Sequence, residues 1–286
     1  MRGLSAIVVS FNRHDALLRT LAHLRRCDLI GQIIVVDNAS HDSSESAARS
    51  FLAEVDGAVV IEMPRNAGVE AFNVGARAAT GEFLLVLDDD AFPDPDTLGD
   101  ALDALRADPS VGAVALAPQH PRDARREWPH ASAPTAAFPM MGCGNLVRAD
   151  AWRRAGGYLT EYFLYRNDAD LALSLLALGY RVLFDPAWVV WHDSPHAALK
   201  SERWLKLATR NWVWMARRHG RGFWKWAGIA LGAAKAFMHA GQDNARAQLV
   251  IDGLREGLRT QPPPPAAASG GEYWCRLVKL QLSRAR

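Results

Sequence analysis

The 286-residue chain has only three cysteines, Cys27, Cys143 and Cys275, odd in number and far apart. No CxxC pair occurs, which argues against a zinc knuckle or a disulfide framework and suits a reducing compartment. Glycine is missing where nucleotide-binding folds often need it. The first apolar run is followed by Ser10-Phe11-Asn12-Arg13-His14-Asp15, with no GxGxxG and no Gly-rich phosphate loop. That counts against a dinucleotide-dependent dehydrogenase and a sugar nucleotidyltransferase. A long uninterrupted apolar run is missing as well. The nearest approach, residues 223–240, contains Lys225 and Lys235 and is broken by Gly228 and Gly232, a poor spanning segment. Met1-Arg2-Gly3 leads straight into a short apolar run without a small-residue cleavage site. No secretory signal is therefore expected, and the cytoplasm is the expected location.

Apolar residues make up 49% and charged residues 22%, the composition of an ordinary soluble globular protein. The length suits one large domain or two small ones. The net charge of +2 conceals an asymmetry. Residues 1–194 carry 17 Arg, no Lys and 26 acidic residues, a net of −9. Residues 195–286 carry 16 basic and 5 acidic residues, a net of +11. An acidic body with a basic C-terminal third points to an anionic partner for that third.

The first half alternates two periods. Short β-branched or apolar runs occur at Ile7-Val8-Val9, Ile33-Ile34-Val35-Val36, Val59-Val60-Ile61 and Phe83-Leu84-Leu85-Val86-Leu87. Between them lie segments at helical spacing, with Ala16, Leu17, Thr20, Leu21 and Leu24 in one and Ala71, Val74, Ala78 and Ala79 in another. Near-continuous apolar strands alternating with helices predict an α/β fold, a mostly parallel sheet covered on both faces. Ligands of such sheets sit beyond the carboxyl ends of the strands. The polar residues fall there: Ser10 and Asn12, then Asp37-Asn38-Ala39-Ser40, then Asn66-Ala67-Gly68, then Asp88-Asp89-Asp90. Residues 118–139 read as a long loop, 150–155 and 168–179 as helices, and 182–184 and 189–191 as two short strands. From Pro195 onward helices dominate until the prolines at 262–265. The expected organisation is 1–195, a catalytic α/β unit; 196–261, a basic Trp-rich helical extension; and 262–286, a Pro-rich linker with a basic tail.

Three motifs carry chemistry. Carboxylates at i and i+2 of an extended segment point the same way, so Asp88 and Asp90 suit Mg²⁺ or Mn²⁺ shared with phosphate oxygens. An acidic turn capping a helix near Asp94 is the structural alternative. Asn167-Asp168-Ala169-Asp170 opens a helix among Tyr158, Tyr162, Phe163 and Tyr165. Asp168 there is either a general base for a hydroxyl nucleophile or an N-terminal cap, and Asp170 reads as structural. His192 follows Val189-Val190-Trp191 at another strand end and is either a structural histidine or a ligand beside the carboxylates.

Taken in order, these elements resemble a known family. They are Ser10-Phe11-Asn12, Val36-Asp37-Asn38-Ala39-Ser40, Asn66-Ala67-Gly68 with Asn73-Val74-Gly75, and Gly81-Glu82-Phe83 running into Leu87-Asp88-Asp89-Asp90. Gly142-Cys143-Gly144-Asn145-Leu146-Val147-Arg148, Gly156-Gly157-Tyr158, Tyr165-Arg166-Asn167-Asp168-Ala169-Asp170-Leu171 and Trp191-His192-Asp193 follow. The set resembles the family 2 inverting glycosyltransferases of the GT-A fold, especially the rhamnosyltransferase-like bacterial members, over residues 4–195. The resemblance implies transfer of a sugar from a dTDP- or UDP-linked donor to a glycan or lipid-linked acceptor in cell-surface polysaccharide biosynthesis. It implies that Asp37, Ser10, Asn12 and Asn66 line the nucleotide pocket together with Asp88 and Asp89. Asp90 would be the principal ligand of Mg²⁺ or Mn²⁺, with His192 completing the shell, and Asp168 the base. Trp128, Gly142, Cys143, Gly144, Asn167 and Trp191 are expected on the acceptor side. One position departs: Asn167 stands where the family usually has Glu, so a base at that position is missing here. A non-catalytic sugar-nucleotide-binding subunit is the competing reading that this change suggests.

Between Lys200 and Lys235 seven further basic residues oppose only Glu202, and Trp204, Trp212, Trp214, Trp224 and Trp226 are interleaved. Basic helices with tryptophan suit the headgroup layer of an anionic membrane, and peripheral contact with the inner face of the cytoplasmic membrane is one expectation. Packing of the tryptophans against the catalytic unit and a basic wall for the donor diphosphate are the others. No nucleic-acid fold signature is present, and none is expected as a partner.

Overall fold

The structure is a computed structural model that describes residues 3–127, 133–135, 140, 142–193, 200–262, 264 and 271–283, with side chains through Lys279. Eight strands form one sheet: β1 (Leu4–Ser10), β2 (Gln32–Asp37), β3 (Val59–Glu62), β4 (Phe83–Asp88), β5 (Ala91–Pro93), β6 (Val111–Gln119), β7 (Gly144–Arg148) and β8 (Arg181–His192). Their spatial order is β3-β2-β1-β4-β7-β6-β8-β5. β3, β2, β1 and β4 pair in parallel, as do β6 and β8. β7 runs antiparallel to both β4 and β6, and β5 runs antiparallel to β8. The sheet is thus mostly parallel, with two strands reversed.

Helices α1 (His14–Arg25), α2 (Ser44–Leu52), α3 (Glu70–Ala78), α4 (Pro95–Ala107), α5 (Ala149–Ala155) and α6 (Asn167–Ala177) cover both faces. Alternate residues of each strand supply the two cores, because strand side chains alternate across the sheet. Ile7, Ile34, Val36, Leu84 and Val86 face Phe72, Trp152, Leu171 and Leu175 of α3, α5 and α6. Leu4, Ala6, Val8, Ile33, Val35, Leu85 and Leu87 face Leu17, Leu21, Leu98 and Leu102 of α1 and α4. The residues buried by α1 are Ala16, Leu17, Thr20, Leu21 and Leu24, the stripe seen in the sequence. Asp94 caps α4, accepting from the backbone N–H groups of Asp96 and Thr97. The two short strands expected at 182–184 and 189–191 are one strand, β8. It crosses Pro186 by a shift of register against β6 between Ala115 and Ala117.

The basic third folds into α7 (Glu202–His219), α8 (Gly222–Ala240), α9 (Asn244–Arg259) and α10 (Gly271–Ser283). Trp212, Val213, Met215, Ala216, Ile229, Trp274, Leu277 and Val278 form their core, which reaches Leu173 of α6. The glycines that break the apolar run of α8 have a packing role. A Cβ on Gly228 would lie 2.3 Å from the Trp274 ring, and one on Gly232 would lie 2.0 Å from the Trp212 ring. They are sockets for two indoles. Among the described residues no helix is long and apolar enough to cross a membrane.

Two polar contacts join this helical layer to the sheet unit. Asp170 Oδ1 accepts from the Tyr162 hydroxyl at 2.9 Å, Arg218 Nε at 2.9 Å and His219 Nε2 at 2.8 Å. Burial pushes the Asp170 carboxyl up, but His219 and Arg218 outweigh it and hold the group below the usual carboxylate range. About two turns earlier in α7, Asn211 Nδ2 donates to the carbonyls of Tyr162, Leu164 and Tyr165, and Arg210 donates to those of Glu161 and Tyr162. The segment they grip contains Phe163, Tyr165 and Arg166, all with positive φ, a backbone state that non-glycine residues hold only when the surroundings impose it.

Removing one partner of a buried ion pair costs about 3–5 kcal/mol. Asp170→Asn is expected to lose stability of that order in denaturant titration at pH 7. Because the folded-state pKa of Asp170 is depressed, its contribution is complete above the unfolded value and is lost as pH falls through the folded one. The gap between wild type and Asp170→Asn should therefore narrow below about pH 4.

Candidate active site

The parallel strands end on one edge, and register sets the neighbours there. Ser10 lies beside Asp37, Val9 beside Asp88, and Ala91 beside His192. Asp88 closes β4, Asp89 and Asp90 make the turn into β5, and His192 closes β8. One ligand atom from each of Asp88, Asp90 and His192 lies within 4.8 Å of the others. Asp90 Oδ1 is buried and pairs with His192 Nε2 at 3.3 Å. Two carboxylates and an imidazole converging on one point are a donor set that fits Mg²⁺ or Mn²⁺, with the ion taking the place of the His192 proton.

Cations already sit among these carboxylates. Arg13 contacts Asp89 Oδ1 at 3.2 Å and Asp90 Oδ2 at 2.6 Å. His192 pairs through Nδ1 with Glu127 Oε2. Burial works against a charged His192, but hydrogen bonds to Asp90 and Glu127 and the charges of Asp90 and Asp88 push its pKa up to about 10. Burial pushes Asp88 well above the carboxylate range, assisted by Asp90 and, more weakly, by Asp168 and Asp89. Asp89 is raised by burial to about 6 despite Arg13. Asp90 is held low against burial by His192 and Arg13. The carboxylate of Asp89 accepts from Ser10 Oγ at 2.9 Å, and its carbonyl accepts from Thr20 Oγ1 at 2.8 Å. The middle aspartate thus ties β1 and α1 to the turn.

The expected nucleotide residues gather at the neighbouring strand ends. Asp37 is buried; its Oδ2 accepts from Ser40 N at 2.9 Å, and its Oδ1 has no hydrogen bond. Asn12 Oδ1 accepts from His41 N at 2.7 Å, which latches the loops after β1 and β2 together. Asn66 Oδ1 accepts from Gly68 N and from Asn38 Nδ2. Asn38 also accepts from Ala67 N, joining the loop after β2 to the loop after β3.

Asp168 lies in the first turn of α6, behind Arg166 at the N-cap. Its Oδ1 accepts from the Tyr158 hydroxyl at 2.6 Å and from Asn167 Nδ2 at 3.2 Å. Its Oδ2 faces Gly142, where a Cβ would come within 3.3 Å. Burial raises the Asp168 carboxyl, and the Tyr158 hydrogen bond partly offsets this. Cys143 is buried between the two acidic groups. Its thiol is raised far above its ordinary range by burial, with Asp88, Glu127, Asp168 and Asp90 adding to the effect, so it is no thiolate. Gly144 opens β7 against Val190, where a Cβ would lie 2.8 Å away. Trp191 donates its indole N–H to Asp94, the cap of α4. Trp128 lies outside the described residues.

Arg13, Glu127 and Tyr158 have no place among the sequence-derived site residues. Arg13 and Glu127 lie in segments without periodicity. Tyr158 belongs to Gly156-Gly157-Tyr158, and an aromatic hydroxyl ten residues before a candidate base was the available signal.

The Glycosyl transferase family 2 model matches residues 5–171. No curated protein matches. Among solved structures, a mannosyltransferase from Pyrobaculum calidifontis in complex with GDP-Man and Mn²⁺ is 24% identical, with a TM-score of 0.62, over 99% of this chain and 85% of that one. TarS 1–349 of S. aureus in complex with UDP-GlcNAc is 15% identical, with a TM-score of 0.67, over 91% of this chain and 82% of that one. GalNAc-T7 with UDP, GalNAc and Mn²⁺ is 12% identical, with a TM-score of 0.68, over 99% of this chain and 58% of that one. At these identities the likeness is one of fold. The match over residues 5–171 takes in the strand-end acids and Asp168, and the chain belongs to glycosyl transferase family 2, with a GT-A fold.

Proposed function

We propose that this glycosyltransferase is a metal-dependent inverting enzyme. It moves a sugar from a dTDP- or UDP-linked donor to a hydroxyl of a glycan or glycolipid in cell-surface polysaccharide biosynthesis. It works in the cytoplasm or at the inner face of the cytoplasmic membrane. One observation carries the reading: the strand edge holds two distinct acidic groups, a cation-binding set at Asp88, Asp90 and His192 and a single buried carboxylate at Asp168. The nucleotide sugars and Mn²⁺ bound by the structural neighbours support the donor class and the cation.

Asp88, Asp90 and His192 would hold Mg²⁺ or Mn²⁺, which when bound stabilises negative charge on a departing diphosphate. Asp37 and the latched loops carrying Asn12 and Asn66 receive the nucleoside. Asp168 takes the acceptor proton. As the acceptor oxygen bonds to the anomeric carbon, the bond from that carbon to the diphosphate oxygen breaks. The hydroxyl proton passes to Asp168 Oδ2. A single displacement with one base inverts the anomeric configuration. Tyr158 and Asn167 occupy Oδ1 and so leave Oδ2 as the accepting oxygen. In this reading the amide at Asn167 supports the base beside it, where the family usually has a second carboxylate. The raised pKa of Asp168 makes it a better proton acceptor than an exposed aspartate.

A thermal-shift series with UDP, dTDP and GDP, each with and without Mn²⁺, tests the donor and the ion together, since a ligand bound only to the folded state raises its melting point. One nucleotide is expected to stabilise the protein in an ion-dependent way, and Asp90→Ala should remove the ion dependence. Undiminished Mn²⁺-dependent stabilisation of Asp90→Ala would exclude Asp90 as a ligand. Asp168→Asn should keep nucleotide binding and lower donor hydrolysis to water by about 10²–10⁴-fold. Equal hydrolysis by both proteins would remove Asp168 as the base.

A further inference from the structure

His192 is held at its backbone and at its ring by different parts of the chain. The backbone is fixed by β5 and the acidic turn. Ala91 pairs with His192, and Asp193 N donates to the Asp90 carbonyl at 2.8 Å. These contacts place the Cα and leave the side-chain torsions to be set by what the ring touches. Asp90 meets the ring at Nε2, the atom that a bound cation would need. Nδ1 is the remaining handle by which the ring can be aimed.

The loop after β6 takes that handle. The chain leaves β6 at Gln119 and doubles back at once. His120 N donates to the Arg125 carbonyl at 2.9 Å, and Ala124 N donates to the His120 carbonyl at 2.9 Å, with Ala124 at a positive φ. Gln119 forms a bridge with Arg126, and Glu127 N donates to the Pro118 carbonyl at 3.2 Å. Pro118 and Gln119 are in register with Val190 and Trp191 of β8. Glu127 is thus carried back to the end of β8, where its Oε2 meets His192 Nδ1. Its side chain is 9% exposed, and a carboxylate so covered needs a partner. An ionised carboxylate accepts hydrogen bonds and donates none, so Nδ1 is the donor of this pair. The ring is then aimed with Nε2 toward Asp90 Oδ1, 3.3 Å away.

We propose that Glu127 is a positioning residue of the metal site: it holds Nδ1–H of His192 and so presents Nε2 to a Mg²⁺ or Mn²⁺ shared with Asp88 and Asp90. The inference rests on the reading of those three residues as the cation-binding set, and it adds a fourth that touches no ion. A histidine that ligates a metal usually donates its other ring N–H to a carboxylate or carbonyl. That partner fixes the tautomer and makes the ligating nitrogen more basic. The competing reading is a plain ion pair in which Glu127 only braces the loop against β8. The two differ in one respect: a brace acts whether or not His192 is a ligand, whereas a positioning residue acts through His192 alone.

Mn²⁺ binding by the full chain tests it. Electron paramagnetic resonance follows the free ion in the presence of UDP, dTDP or GDP, against nucleotide-only controls, and its pulsed form detects a histidine nitrogen coupled to the bound ion. The wild type is expected to show that coupling and His192→Ala to lose it. Glu127→Leu should weaken Mn²⁺ binding by about 10–100-fold. Glu127→Gln, whose amide oxygen can still accept from Nδ1, should weaken it less. In a His192→Ala background, Glu127→Leu should change the affinity by less than about threefold. Melting points of the metal-free proteins show that each variant is folded, and Glu127→Gln carries the comparison if Glu127→Leu does not fold. Wild-type affinity in both Glu127 variants, or the same loss with and without His192, would overturn the positioning role and leave the cation set standing. Mn²⁺ bound without nitrogen coupling removes His192 as a ligand and the proposal with it. No Mn²⁺ binding by the wild type sinks the cation set as well.

Discussion

Carboxylates crowded at low exposure repel one another, and the catalytic edge is organised around that repulsion. Asp88, Asp89 and Asp90 are consecutive, and Asp168 lies close enough to influence Asp88. Such a group persists in a folded protein only if positive charge is placed among its members. Arg13 and His192 supply it, one from just after the first strand and the other from the end of the last. The acidic turn is therefore stabilised only when the two ends of the sheet unit have come together. A metal ion bound in the same place would displace the His192 proton and take over that share of the neutralisation.

Much of this edge was readable in the chain, for a definite reason. Buried parallel strands are written as continuous apolar runs, and the residue after each run marks the ligand-binding edge. Ser10, Asp37, Asp88 and His192 were found that way. The stripe of α1 was equally plain, because Ala16, Leu17, Thr20, Leu21 and Leu24 keep helical spacing. What the sequence concealed depends on pairing between distant segments. The reversed direction of β5 and β7 follows from their neighbours, since a short strand of three to five residues reads the same in either direction. β8 looked like two strands because Pro186 interrupts it, and only the register shift against β6 shows that it continues.

The same limit applies to side chains. Nothing local distinguishes Glu127 from other loop glutamates until His192 arrives beside it, 65 positions further on. The tryptophans of α7 and α8 are a sharper case. Composition treats them alike, yet Trp212 sits in the socket left by Gly232 while Trp226 faces outward. Interior anchor and exposed indole differ by whether each faces a neighbouring helix, which becomes informative only once those helices are in place.

The loop before α6 was described as gripped by Arg210 and Asn211, with Asp170 fastened to Arg218 and His219. This divides authorship of the active centre. The proposed donor half is written by residues that follow the strands, all but His192 in the stretch shared with the family. The posture of Asp168, the proposed proton acceptor, is set from α7, beyond that stretch. Substitutions far outside the matched region can thus shift the surroundings of Asp168 while leaving the strand-end loops untouched, and on the proposed reading the helical layer is a place where descent can adjust acceptor handling separately from donor choice.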